Sequence, residues 1–227
     1  MHFLVDTNKK IIFGWSAKCG CSHIKTIFWF LQTDNVNNLI HTAKDINKMP
    51  NDIENYTTII FIRNPYKRII SGFLEKYKKC GKYRHLWRNS FLSFSQFVDK
   101  LINCDWKTID YHHFTPQTTE HFDKKILLSK NIKFYDIGKI DYEYIEQLYN
   151  KKIPECVINK KHGHERLSYV NSYNKYVYDL HIDDYLDYNI DTTYFYNKEI
   201  REKVFTFYIK DFSFFKENGI DYINSAF

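Results

Sequence analysis

The sequence predicts an α/β fold in which helices and strands form layers around a parallel sheet. The run from Thr57 to Ile62 (TTIIFI) contains only β-branched and aromatic residues, as expected of a strand that is buried on both faces. Ile11 to Phe13 opens a strand–loop–helix pattern, because small residues follow it and apolar residues then recur at helical spacing. Strands that alternate with helices in this way are typical of α/β domains.

The later elements continue this alternation. Pro65 suits the first turn of a helix that directly follows the TTIIFI strand. Ile132 to Ile137 is predicted to be another strand, and a terminal helix is predicted to run from Asn197 through Phe212. Three polar residues precede amphipathic patterns and are predicted to cap helices: Ser93, Asp141 and Asn197.

Length and composition indicate one globular domain covering residues 1–227. The chain contains only 7 Gly and 4 Pro, and no stretch rich in these residues suggests a linker. The net charge of +6 favours anionic partners. We expect a phosphate-bearing small ligand and no nucleic acid, because no helix-turn-helix, zinc-finger or RNA-recognition pattern is present.

The sequence shows no export signal and no run of apolar residues long enough for a membrane helix. The 5 cysteines are an odd and scattered set, which does not suggest a disulfide framework. We therefore expect a soluble, cytoplasmic protein in a reducing compartment. Nothing in the sequence indicates an oligomeric state.

The segment from Lys18 to Lys25 (KCGCSHIK) lies where the chain leaves the first predicted strand and opens a helix. Backbone N–H groups and the helix dipole converge at such a point and can hold a phosphate, and Lys18 would add a positive charge. The Gly-Lys-Ser/Thr pattern of ordinary nucleotide-hydrolysing enzymes is absent. A plain turn between strand and helix is the alternative interpretation.

The segment from Arg63 to Ser71 (RNPYKRIIS) offers a second anion site at the end of the buried strand. Arg63 can make a forked contact with a phosphate, and Ser71 can donate a hydroxyl. The alternative is a capped amphipathic helix, and for Lys67 and Arg68 individually we expect a solvated charged face. Two anion sites after neighbouring parallel strands suit a nucleotide with phosphates at both ends of its ribose.

Several segments resemble those of Golgi carbohydrate sulfotransferases, and in particular of the chondroitin and dermatan branch. The resemblance covers nearly the whole chain and rests on five segments: Lys18 to Ser22, Arg63 to Ser71, His113 to Gln117 (containing His-x-x-Pro), Tyr135 to Lys139, and Tyr208 to Phe212. It implies a three-layer α/β/α architecture related to P-loop NTPases. The chain departs from that branch in two ways: we expect no membrane anchor, and there is no cysteine from Thr118 to Phe122.

The resemblance implies transfer of a sulfuryl group from 3'-phosphoadenosine-5'-phosphosulfate (PAPS) to a glycan or another hydroxyl acceptor, without a metal. Lys18 would stabilise charge on the leaving phosphate, and Arg63 with Ser71 would bind the 3'-phosphate. The 5'-phosphate would be bound by the residues that follow Lys18: Cys19, Gly20, Cys21, Ser22 and His23.

A general base must accept the proton of the acceptor hydroxyl, and histidine is the usual base near neutral pH. His41 lies in the segment where some related uronyl sulfotransferases carry their base, and His113 lies in the His-x-x-Pro segment. We favour His41 slightly, and a purely structural histidine is the alternative for each.

Three other functions fit the sequence less well. A metal site formed by Cys19, Cys21 and His23 with distant His162 and His164 lacks the spacing of structural zinc sites. A nucleotide-binding module without transferase activity would keep both phosphate sites but lack the base. A basic protein that binds polyanions would bind no nucleotide.

Overall fold

The structure is a computed structural model that describes residues 1–36, 49–87, 90–118, 124–159 and 174–223. The chain divides into two compact units. Unit 1 consists of residues 1–63 and 120–164, and unit 2 consists of residues 64–119 and 165–227. The assignment of residues 1–227 to one domain stays a prediction.

The described part of unit 1 contains a four-stranded sheet in the order β1-β2-β3-β4. Its strands are β1 (His2–Asp6), β2 (Ile11–Trp15), β3 (Thr57–Ile62) and β4 (Asn131–Asp136). Strand β3 pairs in parallel with both β2 and β4, whereas β1 pairs antiparallel with β2. The α/β class and the largely parallel sheet are thus confirmed.

The edge strand β1 is the strand that the sequence analysis did not predict. It has only five residues and is joined to β2 by a tight turn. The Asp6 carboxylate accepts hydrogen bonds from the amides of Asn8 and Lys9, at 3.0 and 2.9 Å, and so holds this turn. A strand this short gives too few alternations to stand out by periodicity.

The other regular elements of the described residues are helices. Eight α-helices lie in the described residues: α1 (Cys21–Thr33), α2 (Pro65–Tyr77), α3 (Phe94–Ile102), α4 (Tyr111–Phe114), α5 (Tyr142–Tyr149), α6 (Glu155–Ile158), α7 (Lys198–Phe207) and α8 (Ile209–Glu217). Short 3₁₀ turns occur at Ile53–Asn55, Arg84–Leu86, Lys124–Leu128, Ile182–Asp184 and Thr192–Phe195.

In unit 1, helices α1, α5 and α6 pack on one face of the sheet around Phe13. The Phe13 ring makes edge contacts with Phe28, Phe61 and Tyr149, with centroid distances of 5.4, 5.3 and 6.4 Å. Edge-to-face rings contribute energy beyond the area they bury. This packing holds the start of α1 at the carboxyl end of β2.

The opposite face of the sheet depends on the absence of a side chain at Gly14. A Cβ atom at this position would lie 2.7 Å from Cδ1 of Ile60 and 2.8 Å from Cε1 of Phe3. Both neighbours are buried, so neither has room to move away.

Unit 2 has an aromatic core between α2, α3 and α4. Phe97 lies at its centre, with ring centroids 5.0 Å from Phe73, 5.1 Å from Tyr77 and 4.9 Å from Phe114. Gly72 permits this packing, because a Cβ atom there would lie 2.7 Å from the Phe114 ring. The short helix α4 therefore lies directly against α2.

The predicted helix starts are confirmed. The side chains of Ser93, Asp141 and Asn197 accept hydrogen bonds from the backbone amides of α3, α5 and α7, and Pro65 begins α2. The prediction of a single terminal helix was wrong, because the helix is interrupted at Tyr208 and divides into α7 and α8. Tyr208 adopts φ −100° and ψ 21°, outside the helical range, and its hydroxyl donates to the carbonyl of Phe114.

We expect Gly14→Ala to lower the free energy of unfolding by about 1–3 kcal/mol, because the added methyl group overpacks a buried site. Urea unfolding followed by circular dichroism measures the change. A midpoint equal to that of the unchanged protein would contradict the close packing of Ile60 and Phe3 around this glycine.

Candidate active site

The loop from Ser16 to Gly20 connects β2 to α1 by a sharp turn. Lys18 and Gly20 both have positive φ angles, 68° and 75°, and the Cys19 amide donates to the Ser16 carbonyl at 3.1 Å. Glycine adopts such angles freely, but a lysine pays a conformational cost of roughly 1–2 kcal/mol. Strain of this kind persists where the surrounding structure demands it, and it clusters at functional sites.

Helix α1 starts without a capping side chain, since Gly20 stands at the N-cap, and its first turn carries no acidic residue. The positive end of a helix dipole attracts anions, and a carboxylate at this point would repel them. The predicted anion-binding loop therefore has the right charge for a phosphate group.

The carboxyl ends of the three parallel strands meet beside this loop. A Cβ atom on Gly20 would touch the Ile137 side chain at 3.4 Å, and the Ile137 amide donates to the carbonyl of Ile62 at 2.9 Å. Arg63, the residue after β3, donates from Nη1 to the Lys18 carbonyl at 3.1 Å. The structure thus joins two sequence-predicted site residues, Lys18 and Arg63, within unit 1.

The residues after Lys18 differ in what their side chains can do. Cys19 is completely buried in the core of unit 1, so only its backbone can contact a ligand. The His23 imidazole shares a hydrogen bond of 2.8 Å with the Tyr142 hydroxyl, which orients the ring. Cys21 and Ser22 are half-buried at the start of α1.

Among the residues that the structure describes, no group of three His, Cys, Asp or Glu side chains could hold a metal ion. His162 and His164, the other members of the metal site considered from the sequence, lie outside the described residues.

Helix α2 carries the other part of the second predicted anion segment, in unit 2. Ser71 is half-buried and Lys67 is exposed, as expected for Lys67. The expectation that Arg68 lies on a solvated face was wrong. Arg68 is only 2% exposed, and its guanidinium donates to the carbonyl of Thr115 at 2.8 Å. Arg68 therefore belongs to the interior of unit 2, where it binds the backbone after α4.

His113 lies in α4, and its Nδ1 forms a hydrogen bond with the Asp110 carboxylate. The Asp110 amide donates to the Tyr77 hydroxyl at 2.9 Å, which anchors the residue before the helix. Burial disfavours the ionised form of Asp110, but the hydrogen bond from His113 and the nearby His112 outweigh it and lower the Asp110 pKa. A carboxylate on Nδ1 fixes the tautomer that allows Nε2 to accept a proton.

Asp110 is a residue that the sequence analysis missed. The available signal was its spacing, since a residue three positions before His113 lies on the same face of a helix. His41, the other candidate base, lies outside the described residues.

Comparison with known proteins identifies the family. The model described as "Sulfotransferase family" matches residues 1–216, nearly the whole chain. The chain belongs to the sulfotransferase family. Members of this sulfotransferase family are PAPS-dependent transferases, so the predicted enzyme class is confirmed together with the predicted resemblance.

The chain is also similar, over part of its length, to a human protein. Human carbohydrate sulfotransferase 9 is 27% identical over 95 residues, which cover 36% of this chain and 21% of that protein. No solved structure matches.

In the described part of the chain, no helix has both the length and the apolar composition needed to cross a bilayer.

We expect Asp110→Asn to remove a pH-dependent part of the stability. A carboxylate whose pKa is lowered by folding stabilises the protein above its ordinary pKa of about 4, and this contribution disappears as the pH falls through the lowered value. The difference in unfolding free energy between the two proteins should therefore be present at pH 6 and shrink below pH 4, when measured by urea unfolding. A difference that stays constant over this range would contradict the stabilising contact between His113 and the Asp110 carboxylate.

Proposed function

We propose that this chain transfers a sulfuryl group from PAPS to a hydroxyl group of a carbohydrate. The observation that carries the proposal is the hydrogen bond from Arg63 to the Lys18 carbonyl, beside the uncapped start of α1. Two cationic side chains and a helix N-terminus free of acidic residues suit a doubly phosphorylated nucleotide.

Under this proposal, the backbone amides from Cys19 to His23, in the loop and the first turn of α1, bind the 5'-phosphosulfate. Lys18 stabilises the negative charge that develops on the leaving phosphate oxygen. Arg63 and Ser71 bind the 3'-phosphate, Arg63 through its planar guanidinium and Ser71 through its hydroxyl.

The reaction forms one sulfur–oxygen bond and breaks another. The acceptor hydroxyl oxygen bonds to sulfur while the bond between sulfur and the 5'-phosphate oxygen breaks, as in phosphoryl transfer. The acceptor proton passes to a general base, and 3'-phosphoadenosine-5'-phosphate leaves. Positioning and charge stabilisation supply most of the rate in such a transfer.

We propose His113 as that base, in preference to His41. The support is its pairing with Asp110, because a neighbouring carboxylate orients an imidazole and stabilises the imidazolium that proton transfer creates.

Two observations support a carbohydrate acceptor. The Tyr83 ring lies 6.2 Å from the His113 ring, and aromatic rings beside a base can stack on the apolar faces of sugars. The second is the name of the human relative, a carbohydrate sulfotransferase. A glycan is therefore the acceptor class to test first.

We expect His113→Ala to lower kcat about 10²–10⁴-fold, the usual contribution of a general base. His112→Ala is the matched control, because His112 is an exposed neighbour whose ring lies 4.9 Å from that of His113. Transfer of radiolabelled sulfate from PAPS to a library of glycans measures both variants.

Full turnover by His113→Ala would reject the base assignment and direct attention to His41. Binding of the nucleotide by the unchanged protein without turnover on any acceptor would favour a nucleotide-binding module instead. An equal loss in the His112 and His113 variants would indicate a general disturbance of α4.

A further inference from the structure

Asp211 in α8 is completely buried, and its carboxylate contacts the segment that follows His113. It accepts hydrogen bonds from the Gln117 amide at 2.7 Å, the Thr118 amide at 2.9 Å and the Thr118 hydroxyl at 2.6 Å. Three donors on one carboxylate compensate for most of the water it loses on burial. This acid therefore determines where residues 117 and 118 lie.

Two other side chains hold the peptide groups just before these. The Tyr208 hydroxyl donates to the Phe114 carbonyl at 2.6 Å, and the Arg68 guanidinium donates to the Thr115 carbonyl at 2.8 Å. The peptide groups of residues 114, 115, 117 and 118 are thus held by buried side chains of unit 2. We call Arg68, Tyr208 and Asp211 the clamp.

Helix α4 needs such support because it has only four residues. A helix this short has too few internal hydrogen bonds to be stable alone. On its amino-terminal side the Asp110 amide is bound to Tyr77, and on its carboxyl side the clamp holds the chain. The position of the His113 ring depends on both anchors.

Charged groups in the clamp are costly for a purely structural role. Burying a carboxylate and a guanidinium is expensive, and apolar residues of similar size often give equal or greater stability. Burial raises the Asp211 pKa, although the Thr118 and Gln117 hydrogen bonds and the Arg68 charge oppose this effect. Charged hydrogen bonds do, however, define a backbone position more sharply than apolar contacts do.

We propose that Arg68, Tyr208 and Asp211 are positioning residues that hold His113 in its catalytic orientation. The proposal rests on the proposed role of His113 as the base. It gives a function to the segment from Tyr208 to Phe212, whose side chains reach across unit 2 to the residues after the histidine.

The test compares Tyr208→Phe with Tyr196→Phe. Each variant removes one buried hydroxyl that donates to a backbone carbonyl, at Phe114 for Tyr208 and at Tyr66 for Tyr196. We expect both to lower the melting temperature by similar amounts. Only Tyr208→Phe should lower kcat, about tenfold, with KM for PAPS nearly unchanged.

Amide hydrogen exchange of the full chain gives a readout that needs no activity. We expect the amides of residues 115, 117 and 118 to exchange at least about tenfold faster in Tyr208→Phe, and unchanged in Tyr196→Phe. Asp211→Asn serves as a second variant, since a carboxamide cannot accept from all three donors and should give the same pattern.

The outcomes separate the clamp from the base. Unchanged exchange in Tyr208→Phe and Asp211→Asn would reject the clamp itself. Faster exchange together with an unchanged kcat, or a kcat loss equal to that of Tyr196→Phe, would reject the positioning role. Full turnover by His113→Ala is read from a different variant and would reject the base assignment, even if the exchange results confirmed the clamp.

Discussion

The parallel pairing of β2 with β3 is the constraint on which the candidate donor site depends. In this register Trp15 lies opposite Phe61, so both strands end at the same edge of the sheet. The chain then enters the Lys18 loop after β2 and reaches Arg63 after β3. Ligands of open α/β sheets bind beyond the carboxyl ends of the strands for this reason. A different register would separate Arg63 from the Lys18 carbonyl and remove this contact between the two predicted anion segments.

The two units hold their candidate site residues by different means. In unit 1 the sheet itself places the loop, and apolar packing around Phe13 holds α1 against the sheet. In unit 2 the short helix with His113 lies outside any sheet and relies on buried polar contacts from its neighbours. A sheet edge gives a rigid platform at little cost, whereas a four-residue helix needs specific anchors.

Much of the fold could be predicted from the sequence because the signals are local. The TTIIFI strand, the caps Ser93, Asp141 and Asn197, and the loop after β2 all depend on residues close together in the chain. The roles of Arg68 and Asp211 could not be predicted, because their partners lie 47 and 94 residues away. A charged residue on a helix usually faces water, and only the tertiary structure reveals the exceptions.

The candidate site, too, could be predicted only in part from the sequence. Lys18 and Arg63 come from motifs that follow predicted strands, and the structure joins them. Cys19 illustrates the limit of motif reasoning, since its membership of the loop gave no sign that its side chain faces the core. Asp110 was overlooked although it lies only three residues before His113, because polar residues are common at helix starts without any catalytic role.

Calorimetric titration with 3'-phosphoadenosine-5'-phosphate tests the donor site most directly. The unchanged protein should bind this nucleotide, and should bind adenosine 5'-monophosphate, which lacks the 3'-phosphate, much more weakly. The double variant Arg63→Ala, Ser71→Ala should lose at least about tenfold in affinity, the value of one charge-assisted hydrogen bond. A folded, unchanged protein that binds neither nucleotide would contradict the proposal that this edge of the sheet is a PAPS site.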